Sequence, residues 1–222
     1  MNFRHEIKHE INSADALVIR ARLGAVASCD SHYENGVYRI RSLCFDDSFD
    51  TALREKLDGV NRREKFRIRL YNNSTDFICL EKKSKINGLC AKSSVRLTER
   101  EAELLSRGEY LFLKDRKEAL CAELFVKMRR GICPKVLVDY TRRAFVYGPG
   151  NVRVTLDYDM ETGLKSTELL NPDCPTVPVR DDPKILEVKW DAFLPDVIRD
   201  AVQIPRRRAE AFSKYAVCRM YD

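Results

Sequence analysis

The chain has few histidines, no closely paired cysteines and no long apolar run, and each shortage closes a class of function. Three histidines in 222 residues, with no histidine–cysteine cluster at zinc spacing, leave no material for a zinc centre or a histidine-activated nucleophile. The eight cysteines (Cys29, Cys44, Cys79, Cys90, Cys121, Cys133, Cys174 and Cys218) contain no CxxC pair, and several fall at apolar strand or helix positions. That scatter predicts reduced, buried thiols in a cytoplasmic protein rather than a disulfide framework. No segment approaches the roughly 20 apolar residues that span a bilayer, and Met1-Asn2-Phe3-Arg4-His5 leads into charge instead of a signal-peptide core. There is no internal repeat and no low-complexity stretch. A soluble protein of one domain over residues 1–222 is expected, since 44% hydrophobic residues suffice for a core.

Charge, by contrast, is abundant and nearly balanced. Although 33% of residues are charged, the net charge is only +6, because acidic residues gather in helical stretches and basic ones in strand-like stretches. A local excess of this kind points to a compact anion or an anionic polymer held in a site.

The basic excess is sharpest between Arg62 and Lys92. Phe66, Ile68 and Leu70 alternate with Lys65, Arg67 and Arg69, a period of two that describes a strand with one apolar and one cationic face. After the polar loop Asn72–Asp76, Ile78 and Leu80 point one way while Glu81, Lys83 and Lys85 lie on the other, so the pair reads as a hairpin. Like charges across a strand pair repel, and such a ladder is costly unless water or a polyanion neutralises it. A solvated face of a two-faced sheet accounts for one such strand. Recurrence of Arg39/Arg41, Arg142/Arg143, Arg153 and Lys189 in other strand-like runs favours a sheet that closes with these side chains inside.

Around this hairpin, residues 4–10 read equally as a strand with Arg4, Glu6 and Lys8 on one face or as a helix start. Asn12 or Ser13 caps a helix through Ala14, Leu17, Val18 and Ala21 that stops at Gly24. Val37–Phe45 is a strand with Tyr38, Ile40 and Ser42 opposite Arg39, Arg41 and Leu43, and Asp46-Asp47 caps a short helix ending near Gly59. Thr98-Glu99-Arg100-Glu101 is a capping box for a helix up to about Gly108. Leu120, Leu124 and Met128 mark a longer helix closed by Gly131 and Pro134, with Lys127, Arg129 and Arg130 complementing its dipole. Strands follow at Val136–Tyr147 and, after the turn Gly148-Pro149-Gly150, at Val152–Asp157. There Arg153, Thr155 and Asp157 share a face. Residues 171–183 form a loop, and Ile185–Asp191 a strand with Glu187 and Lys189 opposite Leu186, Val188 and Trp190. Pro195 starts a helix, Pro205 breaks it, and residues 206–220 form the last helix.

Several of these pieces occur together in a known family. Phe66-Arg67-Ile68-Arg69, Leu80-Glu81-Lys82-Lys83 with Lys92 beyond, Tyr140-Thr141-Arg142-Arg143-Ala144-Phe145, Val152-Arg153-Val154-Thr155-Leu156-Asp157, Leu186-Glu187-Val188-Lys189 and Ser213-Lys214-Tyr215 appear in order. In that order the chain resembles the VTC catalytic domain, the polyphosphate polymerase of the vacuolar transporter chaperone complex and its bacterial relatives, in the triphosphate tunnel metalloenzyme superfamily. The resemblance runs from Phe3 to about Tyr215. The chain looks like the bare catalytic domain of that family, and neither an SPX-type regulatory domain nor membrane helices are expected in it.

The resemblance implies an α+β fold, a closed antiparallel β-barrel tunnel of about eight strands with flanking helices. Arg67, Arg69, Lys83, Lys92, Arg142 and Arg153 would be its catalytic phosphate ligands, with Lys85 or Arg96 as alternatives to Lys92. Lys8, Lys189, Ser213 and Lys214 would bind substrate. Glu187, with Glu6, would hold Mn²⁺ or Mg²⁺. Glu81 is either a third carboxylate or a salt-bridge partner restraining Lys83. Where hydrolases and cyclases of the superfamily often open with Glu-x-Glu-x-Lys, this chain reads Arg4-His5-Glu6-Ile7-Lys8, which matches the polymerase branch.

The chemistry needs little covalent help from the protein. Phosphoryl transfer calls for in-line positioning and neutralised phosphate oxygens, which arginine forks and lysine point charges supply. The expected reaction is transfer of the γ-phosphate of ATP to inorganic polyphosphate or a pyrophosphate primer. A tri- or polyphosphate or nucleoside-triphosphate hydrolase on the same fold is the alternative, and a nucleic-acid-binding barrel a distant one, because exposed aromatics do not interleave with the cations. No nucleic acid partner is expected.

Overall fold

The computed structural model describes residues 3–30 and 36–221. Its framework is one antiparallel sheet of eight principal strands: β1 (His5–Ile11), β3 (Val37–Asp46), β4 (Arg63–Tyr71), β5 (Ser74–Ile86), β6 (Leu89–Leu97), β7 (Cys133–Tyr147), β8 (Val152–Thr162) and β10 (Lys184–Trp190). They lie in the order β1-β10-β8-β7-β3-β4-β5-β6, with the two-residue strands β2 (Ser28–Cys29) and β9 (Val177–Pro178) beside β7 and β8. The sheet curls until its edges meet. Arg4 and Cys90 exchange backbone hydrogen bonds of 2.9 and 3.0 Å, so β1 and β6 close the circuit at one rung and enclose a tunnel.

Alternation along each strand separates two environments. Phe66, Ile68 and Leu70 of β4, Ile78 and Leu80 of β5 and Leu43 and Phe45 of β3 face outward. They are buried beneath α3 (Glu99–Ser106) and α4 (Ala119–Arg129), where Leu105, Leu120, Leu124 and Met128 complete the cluster. On the far side Val152, Val154 and Leu156 of β8 and Leu186 and Val188 of β10 pack against α1 (Ser13–Val26) and α5 (Asp196–Val202) through Ile19, Leu23 and Ile198. The sheet is therefore inside out relative to a small barrel with a filled apolar interior: its apolar face is covered by helices and its polar face looks inward. On the inner side, α6 (Lys214–Cys218) packs its Tyr215 and Cys218 on Tyr38, Ile40, Val138 and Tyr140.

Local chemistry explains most boundaries. Asn12 and Asp15 form a reciprocal capping box for α1, and Thr98 and Glu101 another for α3. For α2 (Thr51–Leu57), Asp47 accepts from the Thr51 amide at 3.0 Å and Asp46 from those of Ala52 and Leu53, at 2.9 and 3.1 Å. Two aspartates ahead of the helix thus satisfy its first amides.

Four expectations change. The β4–β5 loop is shorter than Asn72–Asp76: Asn72 and Asn73 both take positive φ, 51° and 55°, and make the two-residue turn that matches strand twist. Residues 4–10, ambiguous by pattern, are a strand. Helix α1 passes Gly24 and ends at Val26, burying Ile19 and Leu23 while Leu17 and Val18 stay exposed. Residues 206–220 do not form one helix, because the segment before Ser213 runs as an irregular strap, with the Glu210 amide donating to the Lys8 carbonyl at 2.8 Å. Only at Ser213, whose side chain accepts from the Ala216 amide, does α6 begin. All eight cysteines are free thiols, six of them buried, with Cys29 exposed and Cys133 half-buried. Among the described residues no helix is long and apolar enough to cross a membrane.

Candidate active site

Period-two alternation aims one file of side chains from each strand into the tunnel. The resulting cavity, about 510 Å³, is lined by Glu6 and Lys8 from β1, Lys65, Arg67 and Arg69 from β4, and Lys83 from β5. Lys92 joins from β6, Arg142 from β7, Arg153 from β8, Glu187 and Lys189 from β10, and Ser213 and Lys214 from the start of α6. Every one of the twelve residues expected at the site lines this single cavity. Eleven lysines and arginines line it against two glutamates, so the wall is strongly electropositive.

Three carboxylate centres hold the cations. Glu81, 2% exposed, accepts from Arg67 Nε at 2.8 Å and Lys92 Nζ at 3.0 Å and lies 3.8 Å from Arg69 Nη1. Burial would raise its pKa, but Arg67, Arg69 and Lys92 hold it well below the usual carboxylate range. Glu81 therefore restrains these three and not Lys83, correcting that alternative. Asp157, fully buried, accepts from Arg142 Nε and Nη2 at 2.6 and 2.7 Å and pairs with Lys214 at 2.6 Å. Burial opposes its ionisation, yet Arg142 and Lys214 bring it down to about 2.

The third centre is Glu6 with Glu187. Glu6 accepts from Lys83 Nζ at 2.6 Å and lies 3.6 and 3.7 Å from the Lys8 and Lys189 ammoniums. Glu187 pairs with Lys8 at 3.1 Å and with Lys189. Burial and mutual repulsion would raise Glu6, but the three lysines take it down to about 2, and Glu187, buried likewise, is held well below its normal range by Lys189, Lys8 and Lys83. No donor meets buried Glu187 Oε1 in hydrogen-bonding geometry, although the Lys189 ammonium is in contact with it. Among the described residues no three metal-ligating side chains converge. Two ionised carboxylates suit a hard divalent cation such as Mg²⁺ or Mn²⁺, which keeps several waters and completes its shell with substrate phosphates. They do not suit a fully protein-held ion.

Tyr140 organises the end nearest α6. Its hydroxyl accepts from Arg69 Nη2 at 2.9 Å, and Lys214, Arg142 and Arg69 surround its ring at 4.6, 5.4 and 6.0 Å. Burial raises the phenol's pKa, and Arg142, Arg69 and Lys214 more than reverse it. Arg153 donates to Tyr38 Oη at 2.9 Å and pairs with Asp30.

Some cations expected inside are outside. Arg39 and Arg41 face outward on β3. Arg41, 2% exposed, donates Nε and Nη2 to buried Asp139 at 3.0 and 2.9 Å and also reaches the Asn171 carbonyl, while Arg39 joins Asp139 and Glu161. Alternation demands this, because Tyr38 and Ser42 occupy the inward positions. Of the three candidates for the second tunnel lysine, Lys92 stands directly across from Lys83 and lines the cavity. Lys85 lies in a neighbouring vestibule, and Arg96 donates to the Asp76 carbonyl with its guanidinium 5.4 Å from the Phe77 ring centre. Sequence reasoning gave no role to Lys65, Tyr140, Tyr38 or Asp157. Lys65 and Tyr140 sit two residues from the expected ligands Arg67 and Arg142 on the same strand face, and Asp157 four from Arg153, so period two was the available signal for these three; β3 carries no expected ligand on the face of Tyr38.

The VTC domain family matches residues 3–221. Among solved structures, the chain is similar to a candidate adenylate cyclase from Bacillus halodurans, at 12% identity and a TM-score of 0.52, covering 85% of this chain and 80% of that one. It is also similar to the PH1012 protein of Pyrococcus horikoshii, at 14% identity and a TM-score of 0.54, covering 96% and 98%. No curated protein matches.

Proposed function

The chain belongs to the VTC domain family, and from that premise we propose that it is a cytoplasmic polyphosphate polymerase that transfers the γ-phosphoryl group of ATP to a growing inorganic polyphosphate chain. The observation that carries the reading is the tunnel wall: eleven cations and two glutamates facing one enclosed space. That arrangement fits an extended polyanion.

In the reaction, a terminal oxygen of the chain, or of a pyrophosphate primer, attacks the γ-phosphorus. The new P–O bond forms as the bond from the γ-phosphorus to the bridging oxygen breaks, and ADP leaves with that oxygen. The attacking phosphate is already ionised near neutral pH, so no side chain has to remove its proton. Arg67 and Arg69, locked by Glu81, Ser42 and Tyr140, present fixed forks to phosphate oxygens. Arg142, locked by Asp157, and Arg153 do so from β7 and β8, and Lys83, Lys92, Lys189, Lys8 and Lys214 supply point charges. Ser213, the buried cap of α6, would donate its hydroxyl to a phosphate oxygen. Because each cation is oriented before substrate arrives, little reorganisation is left for the transfer itself. Glu6 and Glu187 would hold Mn²⁺ or Mg²⁺, which would supply positive charge to offset that of the phosphates. Arg4 pairs with Asp191 at 2.6 Å rather than adding a third carboxylate, which favours the polymerase over the hydrolase on this fold.

Incubating purified protein with ATP, Mn²⁺ and pyrophosphate tests the assignment. A ladder of phosphatase-sensitive polymer that disappears in Glu187→Gln is the expected result. Orthophosphate release without polymer would make the protein a hydrolase instead.

A further inference from the structure

One half-buried cation of the tunnel wall has no role in the scheme above. Lys65 lies on the inner face of β4, two residues before Arg67, about 6.8 Å further along the strand. It stands directly across from Lys83, which stands directly across from Lys92, so three lysines form one rung over three adjacent strands. Like charges opposed in this way are unfavourable unless compensated. Lys83 is compensated by Glu6 at 2.6 Å and Lys92 by Glu81 at 3.0 Å. Among the described residues no carboxylate pairs with Lys65, because neighbouring Glu64 points to the other face and meets Lys82 and Lys127.

The position of this rung matters. Lys65 lines both the tunnel and an adjoining vestibule of about 280 Å³ that shares Glu6, Lys8 and Lys83 with it. Beyond Lys65 the vestibule adds Lys56, Arg63 and Lys85, with Glu64 and Glu210 as its other charged groups. The cationic file Arg69, Arg67, Lys65, Arg63 along β4 therefore continues out of the space that the four arginines surround.

We propose that Lys65 is a phosphate-binding residue that grips the polyphosphate chain beyond the triphosphate, where the tunnel opens into the vestibule. The proposal rests on the polymerase reading and assigns a direction to it: the chain occupies the Lys65 side, and the four-arginine region takes the triphosphate. Burial and the neighbouring Lys83, Lys8 and Arg67 press the Lys65 ammonium down to about 7, a penalty that an arriving phosphate relieves.

Calorimetric titration of wild type, Lys65→Met and Lys65→Arg with inorganic tripolyphosphate and with a long polyphosphate, at low salt, tests it. Loss of one charge-assisted contact predicts that Lys65→Met binds the long chain about tenfold more weakly. Tripolyphosphate affinity should change by less than about twofold, and Lys65→Arg should restore long-chain binding. Equal affinities of wild type and Lys65→Met for the long chain, or equal losses for both anions, would overturn the role of Lys65 alone. If wild type bound neither anion, the tunnel reading itself would fall, and this proposal with it.

Discussion

Arg41 and Arg142 are buried arginines on the neighbouring strands β3 and β7, each gripped by a buried aspartate through Nε and Nη2, yet they belong to opposite faces of the sheet. Outside, Asp139 meets Arg41 and Arg39, and the Asn171 carbonyl and Glu161 complete the set, so cation and acceptor are matched. Inside, Asp157 serves Arg142 and Lys214 in a cavity where cations outnumber the lining carboxylates more than fivefold. The difference lies in stoichiometry. A matched outward pair holds a loop on the sheet, whereas an inward pair fixes the direction of a charge that is not used up.

The largest effect should come from breaking the matched side. Asp139→Asn leaves Arg41 buried without its counter-charge and should cost about 3–5 kcal/mol of stability, read as a fall in the denaturant midpoint. Polymer synthesis at low temperature should persist, and its complete loss would mean that the outer network also shapes the tunnel. Arg69→Met acts on the unmatched side. Removal of one preorganised donor predicts a fall in synthesis of about 10²–10³-fold, with a melting temperature lowered by less than in Asp139→Asn, because Glu81 keeps Arg67 and Lys92 as partners. A large destabilisation would place Arg69 with Arg41 as a structural residue.

Ligand should separate the faces too. At a hundredfold excess over its dissociation constant, tripolyphosphate is expected to stabilise wild type by about 2.7 kcal/mol. The same absolute shift should appear in Asp139→Asn but shrink in Arg69→Met. The smallest effect is the pH dependence of the empty protein. Burial together with Lys8 takes Lys83 down to about 8, and burial together with Lys83 takes Lys65 down to about 7, both from 10.5. From pH 7 upward the unfolded chain therefore keeps protons that the folded one has shed, and stability should rise with pH. The rise should hold to about pH 9, where the buried thiols, whose pKa values burial raises, begin to act in the opposite sense. Thermal melts across this window should show it, flattened in Lys65→Met, and a flat wild-type profile would contradict the crowding of cations.

Much of this was legible in the chain because alternation alone assigns faces. Lys65, Arg67 and Arg69 against Phe66, Ile68 and Leu70, or Glu187 and Lys189 against Leu186 and Val188, sort correctly without coordinates. Alternation does not say which face turns inward. Arg39 and Arg41 were grouped with the tunnel because they repeat the charge pattern, and only the outward Asp139 and the covering segment around Asn171 exclude them. Glu81 was equally out of reach, since its partner depends on how far the side chains of neighbouring strands lean along the barrel. It meets Arg67 directly across and Lys92 on the diagonal. The strap before α6 defeats propensity, because its course is set by Lys8 and the tunnel rim rather than by its own sequence.

The most direct test of the account is a crystal structure of the protein grown with tripolyphosphate. The account predicts phosphate groups inside the tunnel, contacted by Arg67, Arg69, Arg142 and Arg153, with those guanidiniums near the orientations they hold here. Anion bound only on the outer surface, with the four arginines turned to other protein groups, would contradict it.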